Sequence, residues 1–174
     1  MRRFCLWIFI LSAGLMASCG KGGMFLAETP ESGLEAAEHV LLSFFDALSR
    51  EDYRLAASYH LTPNPLSFLY EDLDPENAEA LLARACTPSE QSWCVFYCWK
   101  IKDVVSREQV SSDEFVFRVR FEDEAGNILT GGDNVTPQPC GPAGCIREEF
   151  IYHVVKIDGN FYVEGIPVFM GCWP

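Results

Sequence analysis

The sequence is poor in histidine, the side chain that most often does acid–base chemistry: among 174 residues there are only three, His39, His60 and His153. It is also short of positive charge, with 13 Lys and Arg against 25 Asp and Glu and a net charge of −12. No basic patch offsets this, so nucleic acid and anionic lipid surfaces would repel the chain. No nucleophile elbow, phosphate loop, dinucleotide fingerprint or metalloprotease helix is present, and no serine has a histidine pattern beside it. The cysteines lack the two-residue spacing of zinc ribbons and fingers. The sequence therefore calls for no metal and no cofactor. No apolar run reaches the roughly 20 residues of a transmembrane helix. Internal repeats are absent.

What is present begins at the N-terminus. Met1-Arg2-Arg3 is followed by an apolar run from Phe4 to Met16 and by the small residues Ala17-Ser18 before Cys19. A positive start, a short apolar stretch and small residues at a cut site make a secretory signal. Leu15-Met16-Ala17-Ser18-Cys19 resembles the lipobox of bacterial lipoproteins. The resemblance implies cleavage before Cys19 and lipidation of that cysteine. Several acyl chains anchor stably where one holds weakly. Gly20 rather than Asp after the cysteine implies, in double-membrane bacteria, the outer membrane. The expected organisation is a signal peptide over 1–18, lipidated Cys19 and a Gly-, Ser- and Pro-rich tether over 19–33, and one domain over 34–174. Loss of residues 1–18 removes Arg2 and Arg3 and no acid, which takes the mature charge to −14.

Beyond Cys19 the mature chain carries Cys86, Cys94, Cys98, Cys140, Cys145 and Cys172. An even set in an exported chain reads as disulfides before metal ligands. Six cysteines allow fifteen pairings. Cys94 and Cys98 fall in one extended run, about 13 Å apart, and a disulfide needs Cα atoms within about 7 Å. These two should not pair with each other. Cys140 and Cys145 bracket a tight Gly-Pro turn that can close on itself. Cys86 and Cys94 flank a short loop around Pro88 and can pair across it, which leaves Cys98 for Cys172.

Leu34, Ala37, Leu41, Phe44, Phe45 and Leu48 recur at helical spacing, predicting an amphipathic helix over 32–49 with Ser32 and Glu35 as a capping box. Asp52 caps a second, shorter helix through Tyr59, and Thr62-Pro63-Asn64-Pro65 stops it. Asp74-Pro75 opens a third helix that runs to about Ala85. The remainder reads as strand. The run 93–105 is aromatic and β-branched. Residues 114–122 alternate, with Phe115, Phe117, Val119 and Phe121 on one face and Arg118 and Arg120 on the other. Segments 146–157 and 160–169 flank Asp158-Gly159, a type I′ hairpin signal. Helices first and then about four antiparallel strands make an α+β arrangement.

The stretches Ala36-Ala37-Glu38, Phe44 to Leu48, Glu51-Asp52-Tyr53 and Ala56-Ala57, with the closing Lys156 to Val163, resemble a nuclear transport factor 2-like (NTF2-like) domain. That resemblance implies N-terminal helices packed on a curved antiparallel sheet, forming a cone with an apolar pocket. The fold hosts dehydratases, isomerases, binding modules and dimerisation domains, so it does not specify function. The cysteines and the long segment 127–145 depart from its pattern. Enzymes of the fold use carboxylate, histidine or tyrosine groups inside the cone. The candidates here are His153, which the hairpin register sets opposite Glu164, and Asp46 near the end of the first helix. A cross-strand polar pair on the solvent face is the plainer reading of the first, and a surface carboxylate that of the second. His60 ends the second helix, where the dipole favours a cation. The dense aromatics read first as core. They also suit a pocket for a small apolar ligand, lipid- or peptidoglycan-derived, or an open sheet face for a homodimer or an envelope partner. The sequence thus favours a lipid-anchored domain with a non-catalytic binding or interaction role, with a small lyase, isomerase or hydrolase using the cone pocket as the alternative.

Overall fold

The computed structural model describes residues 33–61, 65–87, 94–130 and 148–172. Three helices come first: α1 (Gly33–Ser49), α2 (Tyr53–Ser58) and, after a 3-10 turn at Pro65–Phe68, α3 (Ala78–Cys86). Six strands follow: β1 (Cys94–Tyr97), β2 (Lys100–Gln109), β3 (Glu114–Glu122), β4 (Phe150–Ile157), β5 (Asn160–Glu164) and β6 (Val168–Cys172). β2-β3-β4-β5 form an antiparallel sheet in that order, and β1 and β6 form a separate antiparallel ribbon. The expected α+β class is observed, with helices packed on a four-stranded antiparallel sheet.

The stripe of α1 does what its spacing dictates. Ala37, Leu41, Phe44, Phe45, Ala47 and Leu48 are all buried. The helix packs against all four strands of the main sheet. The facing side chains of β3 are Phe115, Phe117, Val119 and Phe121, and those of β4 are Phe150, Tyr152 and Val154, all inaccessible to solvent or nearly so. Phe45 is the hub: its ring meets those of Phe121 and Tyr152 edge-on, each at 4.8 Å between centroids. Tyr152 donates its hydroxyl to the Ile166 carbonyl at 3.0 Å, so burial leaves it no unmet polar group. Register shifts in β2 fall between Ile101 and Asp103 and between Val104 and Ser106. Such extra residues bend a strand and increase its twist, here in the strand that α1 packs beside.

The Asp158-Gly159 turn is as its chemistry predicts. Both residues take positive φ, 51° and 85°, as a type I′ turn requires. Asp52 accepts from the Leu55 amide at 3.1 Å and caps α2 as expected. α3 departs from expectation. Its cap is Asn77, which accepts from Ala80, while Asp74 is engaged one turn earlier with the Glu76 amide at 3.0 Å. Asp74-Pro75 therefore builds a turn, and the helix starts three residues later than expected. Two expected strands are also divided. The run 93–105 breaks after Tyr97, where β1 leaves to pair with β6. The run 160–169 breaks at Gly165, whose φ of 130° only glycine adopts readily.

Candidate functional site

The hairpin register sets His153 opposite Glu164 and Val155 opposite Tyr162, as the turn predicts. The His153 side chain nonetheless meets a different acid: its Nδ1 lies 3.0 Å from Glu114 Oε1 on β3. Both side chains are about two-fifths exposed, 43% and 41%, on the face of the sheet away from α1. Glu164 is exposed as well. Exposed pairs of this kind contribute about 0–1 kcal/mol. Asp46 is exposed and forms an ion pair with Arg50 one turn on, at 2.7 Å. His39 is exposed on the flank of α1. The register thus brings His153 beside Glu164, while Asp46 is paired with Arg50 on α1.

The histidine that the fold does bury is His60, 3% exposed just beyond α2. Its backbone forms a bridge to β5: Leu61 N donates to the Val163 carbonyl at 3.0 Å, and Val163 N to that of Tyr59 at 2.7 Å. The ring then spans two backbone acceptors, with Nδ1 2.7 Å from the Leu61 oxygen and Nε2 2.6 Å from the Gly165 oxygen. Burial pulls its pKa below the ordinary value, and the two carbonyls act in the opposite direction. The favoured cation expected from the helix dipole is thus outweighed by desolvation. The neutral ring has one N–H to donate, so one nitrogen bonds its carbonyl while the other only faces one, and His60 still acts as a clasp between α2 and the β5–β6 turn. Nothing in the local sequence marks it for burial; only the contact with a segment a hundred residues away does so.

A cleft of about 640 Å³ opens at the end of α1, lined by Ser49, by Cys98, Trp99 and Lys100, and by Glu122 to Ala125. Lys100 and Lys102 reach Glu122 at 3.1 and 3.6 Å. Asp123 is tied to Asn127 through side-chain and backbone hydrogen bonds, which hold its carboxyl below the usual range. One indole beside several carboxylates suits a polar or cationic group. The aromatic rings Phe115, Phe117, Phe121, Phe150 and Tyr152 are packed into the core, as the first reading of the sequence has them.

Cys86 is bonded to Cys98, with Cα atoms 5.6 Å apart. This corrects the expected Cys86–Cys94 and Cys98–Cys172 pairings. The reason is the break after Tyr97: it turns the chain so that Cys98 meets the last residue of α3. Cys94 and Cys98 do not pair with each other, as their spacing requires. Cys19, Cys140 and Cys145 lie outside the described residues, as do the signal segment and the tether. Among the described residues no group of three His, Cys, Asp or Glu is placed to hold a metal ion, and no helix is long and apolar enough to cross a membrane.

No protein-family model matches the sequence, and none of the curated proteins does. Solved structures to which the chain is similar include a conjectured dehydratase of the NTF2-like family from Streptomyces avermitilis. It is 18% identical over 78% of this chain and 93% of that one, with a TM-score of 0.39. A conjectured calcium/calmodulin-dependent protein kinase II association domain from Xanthomonas campestris is 12% identical over 85% and 94%, with a TM-score of 0.36. A protein containing a SEC-C motif from Psychrobacter arcticus is 14% identical over 79% and 63%, with a TM-score of 0.35. At these identities and TM-scores the likeness says nothing of activity.

Proposed function

We propose that this chain is an exported lipoprotein, held at a bacterial membrane surface by lipid on Cys19, whose NTF2-like domain binds or docks rather than catalyses. The observation that carries the export reading is the Cys86–Cys98 disulfide. Such bonds persist in extracytoplasmic compartments and are rare where thiols are kept reduced. It agrees with the secretory signal and lipobox-like run that precede the domain. The non-catalytic reading is supported by the commitments of the titratable groups. His60 is enclosed between two backbone carbonyls, one of which accepts its N–H, His153 shares an exposed pair with Glu114, and Asp46 pairs with Arg50. Surfaces open to a partner or ligand among the described residues include the outer face of the sheet and the cleft beside Trp99.

Membrane fractionation of the wild type and of Cys19→Ala tests the anchor. The wild type is expected in the membrane fraction with the mass of residues 19–174 plus lipid. The variant is expected in the soluble fraction. A processed wild type that carries no lipid, or a cleaved variant that stays with the membrane, would refute it.

A further inference from the structure

We infer that Cys94 and Cys172 form a second disulfide that closes the end of the β1–β6 ribbon. The antiparallel ladder sets these two residues opposite each other as direct Cα partners. Direct partners in an antiparallel pair stand about 4.5–5.5 Å apart at Cα, and disulfides span about 4.4–6.8 Å. Cys98 cannot compete for either, because its sulfur is already bonded to Cys86. The register irregularity of the ribbon falls between Val95 and Phe96, past the cysteine pair.

The ribbon also has a physical need for such a bond. A lone two-stranded ribbon is marginal in water, and β1 and β6 share no ladder with the main sheet. Cys94 is the first residue of β1, and Cys98 follows its last, Tyr97. The two bonds therefore bracket β1, one tying its start to β6 and the other tying its exit to α3.

Closing the bond removes two protons and two electrons from the thiols. The acceptor is a disulfide-bearing oxidant. One cysteine thiolate attacks it to form a mixed disulfide; the second thiolate then displaces the oxidant's sulfur, and the oxidant leaves as a dithiol. The inference rests on the export reading to the extent that such an oxidant must be available.

The test is a thiol map of the full chain from its own membranes, alkylated before lysis and digested with chymotrypsin without reduction. The expected map shows no alkylation at Cys94 or Cys172 and one peptide pair joining them that separates on reduction. Cys94→Ser is expected to expose a single alkylatable thiol at Cys172, and Cys172→Ser one at Cys94. A free thiol at either position beside a closed Cys86–Cys98 bond would overturn this pairing and leave the export reading standing. A link from Cys94 or Cys172 to Cys140 or Cys145 would do the same. Free thiols at all these positions would overturn both. The wild-type map decides the question even if the serine variants fail to fold.

Discussion

The main sheet with α1 and the β1–β6 ribbon with α3 are held by different means. In the first, apolar surface does the holding: aromatic rings from α1, β3 and β4 meet edge-on around Phe45. In the second, strands of four and five residues make a ladder of their own, and the link to the rest of the described chain includes a covalent bond from Cys98 to α3. A core of that size needs no staple, whereas a short ribbon buries too little surface to stand alone. Phe96 and Val168 of the ribbon and Leu81 and Leu82 of α3 do enter the common core, and the Cys86–Cys98 bond lies at its edge. Substitutions that act on one region and spare the other should separate the two.

Phe45→Ala should have the largest effect, about 3–5 kcal/mol lost in a urea titration, because it opens a cavity at the aromatic hub. Breaking the ribbon's staple should cost less. The bridge closes a short loop, with a sequence separation of 12, for which chain entropy predicts about 3 kcal/mol. Cys86→Ser with Cys98→Ser should show that loss, and proteolysis of the double variant should begin in the ribbon before the sheet. A double variant as unstable as Phe45→Ala would mean that the ribbon is part of the main cooperative unit.

His60→Gln removes the clasp between the α2 end and the β5–β6 turn, leaving a buried carbonyl short of a donor, at about 1–3 kcal/mol. Its pH dependence carries a definite sign. Burial lowers the pKa in the folded state below the ordinary histidine value of about 6.5, so the unfolded chain takes up a proton first as pH falls. The stabilisation should be fully present above about 6.5 and decline as pH drops toward the folded pKa. Midpoints measured from pH 8 to pH 5 should show that slope in the wild type and a weaker one in His60→Gln. A wild type that gains stability on acidification over this range would reverse the assignment. The smallest effect should come from His153→Ala, within about 1 kcal/mol, since its pair with Glu114 is exposed.

Much of the main sheet was legible in advance. The α1 stripe, the alternation of β3 and the Asp158-Gly159 register follow from periods and turn chemistry that act over a few residues. The same register correctly set His153 opposite Glu164, yet the acid that binds it is Glu114, on a strand that the hairpin does not include. The ribbon was not legible. Residues 93–105 read as one strand because the run is rich in aromatic and β-branched residues, and propensity cannot say where a strand changes partner. Asp74-Pro75 looked like a helix start, but Asn77 supplies the working cap because Asp74 is spent on its own turn.

The sequence by itself determined the elements whose information is local: the amphipathic helix, the alternating strand and the hairpin. Only the tertiary structure decided that Cys86 meets Cys98, that His60 is enclosed between two carbonyls, and that the core aromatics pack against one another. Each of these joins segments distant along the chain. Their meeting depends on which strand pairs with which, and a spacing rule carries no information about that competition.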